Sequence, residues 1–130
     1  MTADLDAAAF AAAWVDAWNG HDLERVLCHF ADDAVFSSPV AAQLLPETGG
    51  TLRGKDAIRA YWRVGLERIP DLRFAVEAVY VGVDLIVINY RNHAGNLVCE
   101  VLHLKDGRVV FGAGTYMDAD AASASGVESG

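Results

Sequence analysis

The sequence predicts an α+β domain in which helices come first and cover one face of an antiparallel sheet. Two observations predict it. Before Pro70, large apolar residues recur at helical spacing in three stretches, the mark of helices with one buried side. After Pro70 they alternate with polar residues, the period of a strand with one buried face.

The elements follow in order. Phe10, Trp14 and Trp18 recur every four residues in an Ala-rich stretch, which predicts an amphipathic helix. Asn19-Gly20 ends it, with Gly20 suited to the left-handed residue beyond a helix. Asp22 can accept the free amides of a second helix, whose stripe is Leu23, Val26, Leu27 and Phe30. Ala34 to Ser38 reads as a short strand stopped by Pro39, and 39–53 reads as a loop long enough to form a rim or lid. A third helix starts near Lys55, carries Ile58, Tyr61, Trp62, Leu66 and Ile69 on one face, and closes at Pro70. Four strands then form a meander: Leu72 to Tyr80, Leu85 to Arg91, Leu97 to Leu104 and Arg108 to Tyr116. Asp106-Gly107 is a two-residue hairpin turn, and Ala94-Gly95 is taken as another.

Composition narrows the function classes. The 130 residues, 53% hydrophobic and 22% charged, suffice for one domain with one core. A net charge of -8, from 10 Lys+Arg against 18 Asp+Glu, repels nucleic acid and anionic lipid. No apolar run reaches the roughly 20 residues that cross a bilayer, and the first residues do not resemble a secretory signal. Cys28 and Cys99 form no CxxC motif, so the expected compartment is the reducing cytoplasm. The small, polar residues 119–130 are expected to be a disordered tail, leaving 1–118 as the domain.

Three segments carry a family resemblance. Trp18-Asn19-Gly20-His21-Asp22-Leu23 with Phe30 to Phe36, then Gly54 to Trp62, then Asp106 to Val110 resemble the NTF2-like superfamily, in particular its SnoaL-like and ketosteroid-isomerase-like branches. The resemblance implies a cone, with three N-terminal helices packed on a strongly curved antiparallel sheet around an internal pocket. It also implies a homodimer formed through the outer sheet face, where Cys99 and Val101, with Tyr90 and Ile88, are expected. For function it is weak, because this fold hosts unrelated chemistries and non-catalytic members. Set against the ketosteroid isomerases, the proton-transferring Asp falls on Ser38, the oxyanion Tyr on Trp14, and the protonated Asp on Glu100. Ser38 is a poor base at neutral pH, so steroid-type isomerisation is not expected.

Glu100 is the most informative residue, since it interrupts an otherwise apolar strand. With a two-residue turn at Ala94-Gly95, Asn89 faces Glu100 and Arg91 lies diagonal to it. Burial would raise the Glu100 pKa and Arg91 would lower it, leaving a group able to exchange protons near neutrality. The expected catalytic set is Glu100, Arg91 and Asn89, and the substrate-binding set is Trp14, Trp18, Ser38, Tyr61, Trp62 and Tyr116. A second reading stays open, in which Glu100, Arg91 and Asn89 form a buried, satisfied cluster that only holds the sheet. Gly112 and Gly114 share a face with Tyr116 and leave either room for a cavity or a bend in the strand. Ser37-Ser38 lacks the context of a serine nucleophile. His21, His29, His93 and His103 are dispersed, and no metal site, phosphate loop or dinucleotide fingerprint is present. The expected activity is cofactor-free acid–base chemistry on a small apolar molecule, such as isomerisation, cyclisation or dehydration. The alternative is a ligand-binding or accessory module without turnover.

Overall fold

The computed structural model describes residues 6–118; the expected tail, 119–130, lies outside them. Four α-helices and a six-stranded sheet make up the fold. They run α1 (Ala7–Asn19), α2 (Leu23–Leu27), β1 (Phe30–Ser37), α3 (Pro39–Leu44), β2 (Thr51–Arg53), α4 (Lys55–Arg68), β3 (Ala75–Gly82), β4 (Leu85–Arg91), β5 (Leu97–Lys105) and β6 (Arg108–Tyr116). The sheet order is β2-β1-β6-β5-β4-β3. All neighbours pair antiparallel except β1 and β6, which run parallel. Irregularities interrupt three pairings, between Phe30/Val35, Val76/Ala78 and His103/Leu104, and such interruptions increase the local twist and bend of a sheet. The result is a curved, open sheet with the helices on its concave side.

The first three helices begin where a side chain accepts from a free backbone amide. The Asp6 carboxylate accepts from Ala9 N at 3.1 Å, and that of Asp22 from Arg25 N at 3.2 Å. Gly20 departs from expectation: its φ is -83°, and the left-handed residue is His21, at φ 55°. An anchor holds His21 there, because its Nε2 lies 2.9 Å from the Leu72 carbonyl oxygen. Phe30 does not continue the stripe of α2. It opens β1, pairs with Val109 and is fully buried.

The segment 39–53 is structured rather than a plain loop, so the helices number four and not three. Pro39 fits the first turn of a helix, where a missing N–H costs nothing, and Ser38 Oγ accepts from Val40 N at 3.1 Å. The proline that stops β1 also starts α3. Thr51–Arg53 then returns antiparallel to β1 as the edge strand β2.

The core lies between the helices and the concave face. From α1 it takes Phe10, Trp14 and Trp18, from α4 Ile58 and Trp62, and from the sheet Phe30, Ile86, Ile88, Leu102 and Val109. The β5–β6 turn holds to expectation, with Asp106 and Gly107 both at positive φ (52° and 78°), as a two-residue hairpin of this twist requires. The β4–β5 turn does not. His93, Ala94 and Gly95 form a three-residue loop closed by Asn92 N donating to Asn96 O at 2.9 Å, with Gly95 at φ 81°. The Asn92 side chain holds it by accepting from Ala94 N and Asn96 N, each at 3.0 Å. One extra residue in the loop shifts the register by one.

Candidate functional site

That shift decides which side chains meet Glu100. Glu100 pairs with Ile88, while Asn89 pairs with Cys99 and Arg91 with Leu97. Asn89 and Arg91 therefore lie on the convex face, apart from Glu100, and the expected Glu100–Arg91–Asn89 cluster does not form. Arg91 is exposed; it donates to the Gly95 carbonyl oxygen at 2.9 Å and lies 3.4 Å from Glu77. Asn89 donates to the Val98 carbonyl oxygen at 3.1 Å. The same correction moves Ile88 and Tyr90 from the expected outer face into the interior, where they are 0% and 4% exposed.

Glu100 stays on the concave face because β5 alternates strictly, with Val98, Glu100, Leu102 and Leu104 buried. Only 4% of Glu100 is exposed, and its partner is Tyr90, whose hydroxyl donates to Oε1 at 3.2 Å. Burial pushes the Glu100 carboxyl up to about 8, against the smaller lowering effect of the Tyr90 hydrogen bond. Among the described residues no Lys or Arg takes the place expected for Arg91. Glu100 is thus predominantly a neutral carboxylic acid at pH 7, able to donate as well as accept.

Beside Glu100, between the helices and the concave face, is a cavity of about 130 Å³. Its aromatic side comprises Trp18, Trp62, Phe36 and Phe74. Ser38, Tyr61, Tyr90, Glu100 and Tyr116 bring its hydroxyl and carboxyl groups. The Tyr61 hydroxyl donates to Ser38 Oγ at 3.5 Å. Burial raises the pKa of all three tyrosines, so at neutral pH they act as neutral donors. Val40 and Leu44 of α3 close one side, and Asn92 and His93 of the β4–β5 turn contribute to the lining.

Of the residues expected to bind substrate, Trp18, Ser38, Tyr61, Trp62 and Tyr116 line this cavity. Trp14 does not. It is 1% exposed, packed against Phe74 and Tyr90 at ring separations of 5.7 and 5.2 Å, and its Nε1 has no hydrogen-bond partner. Its tertiary role is packing behind Tyr90. Tyr90 is the residue that sequence reasoning placed on the wrong face. A signal for it was present, because Ile86, Ile88 and Tyr90 alternate with Val87, Asn89 and Arg91, and the polar set belongs outside. Among the described residues no three His, Cys, Asp or Glu side chains come together as a metal site, and no helix is long and apolar enough to cross a membrane.

Comparison with known proteins agrees with this architecture. Residues 11–112 match the SnoaL-like domain. The chain belongs to the SnoaL-like family. A SnoaL-like protein of unknown function from Burkholderia thailandensis is 45% identical, with a TM-score of 0.81 over 86% of this chain and 94% of that one. Two Streptomyces proteins share the fold at lower identity. IdmH of Streptomyces antibioticus, a candidate polyketide cyclase, is 21% identical with a TM-score of 0.70 over 85% of this chain and 91% of its own. AclR of Streptomyces galilaeus, a candidate hydroxylase, is 20% identical with a TM-score of 0.67 over 92% and 95%. No curated relative matches the chain.

Proposed function

We propose that this SnoaL-like protein binds a small, largely apolar molecule and acts on it by cofactor-free acid–base chemistry of isomerase, cyclase or dehydratase type. The reading rests on one observation: a buried carboxylic acid, hydrogen-bonded to Tyr90 alone among the described residues, borders an aromatic cavity. A neutral acid there can donate to a ligand's carbonyl oxygen and stabilise the negative charge that develops as a neighbouring C–H is deprotonated. Tyr90 donates to Oε1 of Glu100; a protonated Oε1 accepts that bond and can still donate its own proton to the ligand. His93 also lines the cavity, and its imidazole is our candidate for the base. The polyketide-cyclase description of IdmH is compatible with such chemistry on a shared fold.

Binding without turnover is the second reading, favoured by the single carboxyl group among the lining residues. Acetophenone in heavy water separates the two. An acid–base enzyme accelerates deuterium uptake into the methyl group, and Glu100→Gln slows it by about a hundredfold or more while binding survives. A binder takes up acetophenone with no exchange beyond that of buffer.

We further propose a homodimer through the convex face, where Tyr80, Val87, Val101 and Ala113 form an apolar row across β3, β4, β5 and β6. The cytoplasm is the proposed compartment, in keeping with two cysteines that are both unpaired.

A further inference from the structure

The two concave glycines of β6 differ in what a side chain would meet. A methyl group on Gly112 would lie 3.0 Å from Phe36 Cδ1 and 3.2 Å from Leu102 Cδ2, so both side chains would have to give way to it. At Gly114 the same group would meet Ser38 Oγ at 3.5 Å and Glu100 Oε1 at 3.8 Å, both ordinary contact distances. Glycine at 114 therefore keeps open a small space bordered by two oxygen atoms that can donate hydrogen bonds. That space belongs to the cavity, whose lining also includes Gly114. A ligand oxygen that approaches Gly114 from the cavity, at contact distance from its Cα, comes between the same two side chains, and a methyl group at 114 would take up the space it needs.

The rest of the cavity limits what that oxygen can belong to. Apolar cavities of about 150 Å³ take up one benzene ring, and this one is about 130 Å³. No Lys or Arg lines it, so an anionic ligand would be desolvated without a countercharge. We propose that Gly114 forms a notch seating the acceptor oxygen of an uncharged, single-ring ligand between Ser38 and Glu100, with the ring among Trp18, Trp62 and Phe74. The inference rests on the reading of Glu100 as a donor, and it adds substrate class and a specificity-determining residue. The volume suits one ring better than a fused polycyclic system, and a carboxylate carries the wrong charge.

Calorimetric titration of the full chain with four probes tests it. Acetophenone binds, toluene binds more weakly, and benzoate and acetylnaphthalene bind worse than acetophenone. In Gly114→Ala the affinity for acetophenone falls about tenfold, the worth of one hydrogen bond, while toluene binding is unchanged. Wild-type protein bound to acetophenone carrying carbon-13 at the carbonyl shows that resonance moved in the direction of hydrogen bonding, a readout independent of any variant. Four outcomes overturn the notch: no binding of acetophenone, benzoate or acetylnaphthalene binding as tightly, an unmoved carbonyl resonance, or Gly114→Ala weakening toluene as much as acetophenone. Binding with the expected Gly114→Ala loss but without deuterium exchange sustains the notch and removes the enzymatic reading, so the two fail separately.

Discussion

Glu100 makes the stability of this protein depend on pH in a direction opposite to that of most carboxylates. Its carboxyl is raised from 4.5 to about 8 in the folded chain. Between those values the native state holds a proton that the unfolded chain has released, so stability falls as pH rises through the window and levels off above it. The full swing is on the order of 5 kcal/mol as an upper bound, from about 1.4 kcal/mol per unit. Denaturant unfolding across that range should show the decline in wild type and a much flatter curve in Glu100→Gln. A rise in wild-type stability over the same range would mean that Glu100 is ionised when folded. Tyr90→Phe should act in the other direction on the same group. Loss of the donated hydrogen bond removes the influence that lowers the Glu100 pKa, so the carboxyl titrates at still higher pH, at a stability cost of about 1–3 kcal/mol. Infrared titration of the carboxyl band in both proteins measures the shift.

Strand β6 does two jobs within one element. Gly112→Ala brings a methyl group against Phe36 and Leu102 at distances tighter than most packed contacts, and it should cost about 1–3 kcal/mol as an overpacked core position. Gly114→Ala, with ordinary contacts on every side, should melt within a few degrees of wild type. A thermal scan of both separates packing from vacancy, and equal destabilisation would contradict the assignment. The β4–β5 hairpin shows how an element can be legible in place and hidden in register. Both strands were readable from their alternation. The turn was not, because Ala94-Gly95 serves as well for a two-residue loop as for the end of a three-residue loop. What settles it is Asn92, whose side chain accepts from two backbone amides and selects the longer loop. The polarity of Asn89 and Arg91 pointed the same way, since neither finds a partner on an apolar concave face.

The convex face gives the assembly its test. A dimer built on the row Tyr80–Val87–Val101–Ala113 buries those side chains against a second copy, so a charge placed in the middle should be costly there and tolerated in a monomer. Val101→Lys should halve the mass seen by analytical ultracentrifugation while leaving the far-ultraviolet circular dichroism unchanged. A wild-type protein that sediments as a monomer would remove the dimer. The cavity, on the opposite side of the same sheet, should bind ligand equally in both forms.

Much of this architecture is written locally. Periodicity, caps and the Asp106-Gly107 turn predict the helices, the meander and the exceptional character of Glu100, because each depends on residues a few positions apart. The segment 39–53 was less clear: Ser38-Pro39 is a helix-start signal, but β2 exists only because β1 is beside it. The company that Glu100 keeps lay beyond local reading. Tyr90 rather than Arg91 meets it through one residue of loop length, and Ser38 approaches Gly114 because β1 and β6, some seventy-five positions apart in the chain, run side by side. Contacts of that kind are made by the packing of distant segments, which leaves no periodic trace in the order of the amino acids.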